Sequence, residues 1–118
     1  MKQPPVGTVT FLFTDIEGST KLWQEQPETM PQALGRHHAL LSKAITSHGG
    51  YIFQIIGDAF CSAFPTANDG LDAALDAQRA LTAETWEETG AIRVRMALHT
   101  GRAEVQFGEY TSGEYISG

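Results

Sequence analysis

Gly7-Thr8-Val9-Thr10-Phe11-Leu12-Phe13-Thr14-Asp15-Ile16-Glu17-Gly18-Ser19-Thr20 is the stretch on which the reading of this chain turns. From Thr8 to Thr14 the residues are β-branched, aromatic or leucine, nearly continuous in apolarity. Such a run predicts a strand buried on both faces. Asp15 to Thr20 break it, and Ser19 or Thr20 is placed to cap a helix carrying Leu22 and Trp23. An acid at the end of a strand is thus followed by Gly18, Ser19 and Thr20 at a helix start. Backbone N–H groups there point outward and can cradle a phosphate beside a metal-binding carboxylate. Upstream, Met1 to Val6 is polar with Pro4 and Pro5, a loose lead-in.

Downstream, Pro27 and Pro31 limit the first helix. Met30, Leu34, His37 or His38, Leu41 and Ile45 recur at helical spacing, and Gly49-Gly50 ends that helix. Tyr51 to Ile56 and Ala59 to Phe64 read as strands joined across Gly57-Asp58, a connection short enough for a hairpin. After Pro65, Leu71, Ala74, Leu75, Gln78 and Leu81 mark another helix with an alanine-rich face. Ile92, Val94, Met96 and Leu98 alternate with Arg93, Arg95 and His99, predicting a strand with one buried face that Gly101 ends or bends. The order of strand, helices, strand, strand, helix, strand predicts an α+β domain. It is a ferredoxin-like split βαβ sheet with helices on one face, spanning 1–118 and truncated before its C-terminal elements. The tail from Gly108 to Gly118 is polar, glycine-rich and repeats Gly-Glu-Tyr.

The apolar fraction of 42% suits one folded core. A net charge of −6 argues against a nucleic-acid partner but not against a triphosphate, whose charge metals can offset. Cys61 is the only cysteine, so an internal disulfide is excluded and a reducing cytoplasm is expected. No signal peptide or membrane span is read.

Asp15 and Asp58 sit at the ends of two apolar strands. If those strands are neighbours, two hard oxygen donors converge, as Mg²⁺ or Mn²⁺ prefers, and a pair of such ions suits an in-line phosphoryl displacement. Taken singly, each aspartate reads as an ordinary helix cap or turn residue. His37 and His38, adjacent on a helix, make a poor metal pair; one packing and one exposed is expected. His99 reads as structural, Trp23 and Trp86 as packing anchors, and Cys61 as a buried thiol. Arg93 and Arg95 share a strand face, open to pairing with acids or with a second subunit.

Gly7 to Thr20 resembles the opening strand and metal turn of class III adenylate and guanylate cyclases. Ile55-Ile56-Gly57-Asp58-Ala59-Phe60 resembles their second metal turn, and Val94 to Gly101 the strand that follows. The resemblance implies that Asp15, Asp58 and the main-chain carbonyl of Ile16 hold two divalent ions. Gly18, Ser19 and Thr20 would lie along the triphosphate, whose ribose 3′-hydroxyl attacks the α-phosphorus. Gln54 stands where the family commonly has a base-reading lysine; its amide can still meet a purine edge, though it also reads as a solvent-facing strand residue. Glu114, or its rival Glu109, matches the partner position. The family's asparagine and arginine fall on a helix past Gly118, which implies that this chain alone is inactive or nearly so. The resemblance also implies a head-to-tail homodimer and fused regulatory domains. A silent nucleotide-sensing or dimerisation module is the alternative. A polymerase palm or diguanylate cyclase ranks below, since the latter needs a Gly-Gly-acid-acid-Phe turn.

Overall fold

A computed structural model describes residues 3–86, 89–106 and 108–110. The chain runs β1 (Gly7–Ile16), α1 (Ser19–Glu25), α2 (Met30–Ser47), β2 (Tyr51–Ile56), β3 (Ala59–Phe64), α3 (Ala67–Ala83) and β4 (Val94–Ala103). A short pair, β5 (Val105–Gln106) and β6 (Glu109–Tyr110), follows. The four long strands form one antiparallel sheet in the order β2-β3-β1-β4, so β4 returns beside β1 as the split βαβ plan requires.

Period-2 alternation gives β1 two destinations. Leu12 and Ile16 join Met30, Leu41, Ile45, Phe60, Phe64 and the α3 alanines in the core beneath α2 and α3. Val9 and Phe11 join Ala63 and Ala103 on the second face, with Phe13, Phe53 and Tyr110 packed around them. Both faces of the central strand are buried, which is why its sequence shows no polar alternation.

The helices keep to one face, for local reasons. Pro31 falls in the first turn of α2, where its missing N–H costs nothing. At the other end Gly49, at φ +76°, turns the chain. The Gly49 N–H donates to Thr46 O and the Gly50 N–H to Ile45 O, the paired bonds that close a helix C-terminus. Gly50 has no room for a side chain: a Cβ would lie 2.5 Å from both Ile45 and Phe64. Thr66 caps α3, its hydroxyl accepting from the Asp69 N–H at 3.1 Å.

Three expectations are corrected. Neither Ser19 nor Thr20 caps α1; Gly18 holds that position at φ +67° with no side-chain cap, because the sharp turn off β1 demands a left-handed residue. In α3 the alanines face inward with Gly70 and Leu81, while Leu71 and Leu75 are exposed. Small residues let the helix approach a sheet already filled by Phe60 and Phe64. The last strand begins at Val94, not Ile92, and continues through a buried Gly101 to Ala103. Leu98 is 42% exposed, since the α3 residue against it is Gly70.

Candidate active site

The β1–β3 and β2–β3 registers bring the end of β1 to the β2–β3 hairpin. Ile56 pairs with Ala59, leaving Gly57 and Asp58 as a two-residue loop with Gly57 at φ +58°. The Asp58 carboxylate reaches across and accepts from the Ile16 N–H at 2.5 Å through Oδ2. Asp15 lies one residue away in β1. The two aspartates singled out in the sequence are therefore brought together, with the Ile16 peptide between them.

Asp15 is paired. Its register partner on β4 is Arg95, whose Nε and Nη2 donate to Oδ1 and Oδ2, both at 2.8 Å. This fork lowers the Asp15 pKa below the usual carboxylate value, outweighing the opposing effect of burial. Asp15 is thus held as a carboxylate, the form a hard cation needs.

Gln54 is exposed. Its position depends on a β-bulge: Ile52 pairs with Ser62, but Gln54, not Phe53, pairs with Cys61. Strict alternation would put Gln54 with Ile52 on the helix-covered face. The extra residue moves it into register with Cys61 and, across β3, with Phe13, two residues before Asp15. Bulges commonly re-aim a side chain in this way. Gly18 and Thr20 are exposed and Ser19 is half-buried at the start of α1. Glu109 lies exposed in β6; Glu114 lies outside the described residues.

His37 and His38 depart from expectation. His37 is fully buried and His38 half-buried, yet the rings meet, Nδ1 to Nδ1 at 2.9 Å. His38 Nε2 lies 3.1 Å from Gly57 O. No sequence signal indicates that link, because it joins α2 to a hairpin nineteen positions away. Trp86 packs against the core while Trp23 is 39% exposed. His99 is exposed, and burial raises the Cys61 pKa.

Among the described residues no three His, Cys, Asp or Glu side chains gather as a metal site. Two carboxylates and the Ile16 carbonyl are nevertheless hard oxygen donors of the kind Mg²⁺ or Mn²⁺ takes, ions that retain several positions for water and phosphate. A surface groove of about 610 Å³ lies elsewhere, lined by Ala33, Arg36, Glu84 and Trp86 among others. Its ionic groups pair with each other, Arg36 to Glu84 at 3.0 Å. No helix among the described residues is long and apolar enough to cross a membrane.

Residues 1–109 match the adenylate and guanylate cyclase catalytic domain family, and the chain belongs to it. An uncharacterized protein of Mycobacterium tuberculosis is 43% identical over 105 residues, covering 87% of this chain and 34% of its own length. The receptor-type adenylate cyclase GRESAG 4.3 of Trypanosoma brucei brucei is 28% identical over 145 residues, covering 92% of this chain and 12% of its own. The chain thus spans about a third or less of these relatives. Among solved structures, a Trypanosoma brucei adenylate cyclase in its monomeric state superposes with a TM-score of 0.87 at 24% identity. The match covers 96% of this chain and 67% of that one, a likeness of fold.

Proposed function

We propose that this chain is the front part of a nucleotide cyclase that converts ATP, or GTP, to the 3′,5′-cyclic nucleotide and pyrophosphate. The observation that carries the reading is the meeting of Asp58 with the Ile16 peptide, one residue from Asp15, in a chain of this family. Asp15, Asp58 and the Ile16 carbonyl are the proposed ligands of two Mg²⁺ or Mn²⁺ ions. When bound, these ions acidify the attacking hydroxyl and neutralise charge on the leaving phosphates. Asp58 Oδ2 is engaged by the Ile16 N–H, which fixes the carboxylate and leaves Oδ1 for a metal.

The ribose 3′-oxygen bonds to the α-phosphorus as the bond from that phosphorus to the β-phosphate oxygen breaks, and the hydroxyl proton leaves to solvent. Gly18, Ser19 and Thr20 lie along the triphosphate. Gln54, re-aimed by the bulge, meets the base from the sheet face that also carries Phe13. Glu114 is the proposed partner of Gln54, with Glu109 its rival. Ile55 and Ile56, 46% and 61% exposed beside Asp58, are apolar surface suited to a head-to-tail partner copy. A cytoplasmic setting and regulatory domains fused beyond this segment complete the proposal. The asparagine and arginine expected past Gly118 stabilise the transferring phosphate, so the 118-residue chain alone turns over little or nothing.

A second reading has its own support. Glutamine replaces the family's lysine at position 54, and Arg95 already occupies Asp15, as suits a silent nucleotide-sensing or dimerisation module. The deciding assay is cyclic-nucleotide production with ATP or GTP and Mn²⁺ by a chain extended past Gly118, beside an Asp58→Ala control. Product that disappears in the control supports the cyclase. No product from a folded dimer refutes it and favours the module.

A further inference from the structure

His38 and His37 form a chain of contacts that ends on the metal turn. A carbonyl only accepts, so the 3.1 Å contact between His38 Nε2 and Gly57 O requires a proton on His38 Nε2. In the neutral ring Nδ1 is then bare and must accept. The 2.9 Å contact between the two Nδ1 atoms therefore requires that His37 Nδ1 carries the proton and donates. That leaves His37 Nε2 bare, and it is one of two side-chain atoms, with Thr14 Oγ1, found buried without a hydrogen-bond partner among the described residues. A bare acceptor is the less costly group to leave unsatisfied, since the alternative tautomer would bury an N–H donor. Both rings also pack edge-on against Phe60, His37 at 5.7 Å and His38 at 4.9 Å between centroids. Phe60 is fully buried and sits two residues past Asp58, so the rings are held from two sides.

We infer that His38 is a positioning residue for the Gly57–Asp58 turn, and that His37 serves it by fixing its tautomer. The turn is pinned at two points: the Gly57 carbonyl by His38, and the Asp58 carboxylate by the Ile16 N–H. Gly57 takes a left-handed φ of +58° and its open surroundings would admit a Cβ, so the loop itself does little to restrain the peptide. The His38 bond supplies that restraint from α2, which is anchored in the core by Leu41 and Ile45. Outer partners of this kind set how well a ligand group is presented to its ion. The inference rests on the proposal that Asp58 is a metal ligand.

Mn²⁺ binding to the 118-residue chain, followed by loss of the free-ion electron paramagnetic resonance signal, tests it without any turnover. His38→Phe keeps the ring on Phe60 and removes the donor; it is expected to weaken Mn²⁺ binding roughly tenfold or more with little change in Tm. His38→Gln, whose amide reaches as a donor to the same carbonyl, is expected to recover most of the loss. Unchanged affinity in Asp58→Ala overturns the metal reading and this inference together. Lost binding in Asp58→Ala with undiminished binding in His38→Phe overturns this inference alone. Should His38→Phe fail to fold, ¹⁵N ring shifts of the unaltered chain decide. Protons on His38 Nε2 and His37 Nδ1 are expected, and the opposite tautomers overturn the arrangement.

Discussion

Arg95 holds both oxygens of Asp15, so a cation entering there must displace a guanidinium. Arg95→Met should therefore let the Asp15 carboxyl titrate higher, back toward its ordinary value, as read by carboxyl ¹³C NMR. The same variant should bind Mn²⁺ more tightly, by no more than about tenfold because an exposed pair is screened by solvent. A lower Asp15 pKa in the variant would contradict this account. Gly50 makes a different kind of demand. A Cβ there would sit 2.5 Å from Ile45 and Phe64, both fully buried, so Gly50→Ala must push core side chains apart. A loss of about 1–3 kcal/mol is expected in urea unfolding. At this scale the aspartates were legible because an acid ending an apolar strand is conspicuous. Arg95 was legible only as one of two alternating arginines, since nothing local in the sequence tells which acid lies across the sheet.

At the scale of elements, the long strands and helices α2 and α3 follow from periodicity and punctuation. Pro31 and Gly49 mark α2, and the two-residue interval Gly57-Asp58 marks the hairpin. Position within the element was harder to read. In α3 the leucines drew the predicted stripe outward, whereas close packing on the sheet selected the alanines and Gly70. In β4 alternation placed Leu98 inside, but the α3 residue against it is Gly70, which has no side chain to cover it. The bulge at Phe53 left no trace at all: neither glycine nor proline marks it, and it is accompanied by ring contacts of Phe53 on the second face, with Phe11 at 5.9 Å and Tyr110 at 4.9 Å. Caps are decided by geometry as well as residue type, so Gly18 displaced Ser19 and Thr20 at α1 while Thr66 serves α3 as threonines do. Thr66→Ala should remove the bond to the Asp69 N–H and cost about 1 kcal/mol, measurable as a fall in Tm. A comparable fall in Ser19→Ala, where no cap bond exists, would contradict the assignment.

Over the whole molecule, acid should act through the core before it acts on the carboxylates. Burial lowers the His37 pKa from 6.5 to about 4, aided by the neighbouring His38 and opposed by the Asp58 carboxylate. The unfolded chain therefore takes up a proton on this residue at a higher pH than the folded chain does. Stability is highest above about pH 6.5, falls as pH drops through the window between 6.5 and 4, and loses no more from this group below it. Asp15, whose pKa is lowered by Arg95, takes over at still lower pH: its contribution is present above the ordinary carboxylate value and is lost below. Urea unfolding at pH 7 and pH 4.5 isolates the histidine window. His37→Phe keeps an aromatic ring against Phe60 and cannot titrate, so the drop in stability between the two pH values should shrink by about 2 kcal/mol relative to the unaltered chain, allowing for solvent screening. An equal drop in both proteins would mean that His37 does not stay neutral in the fold.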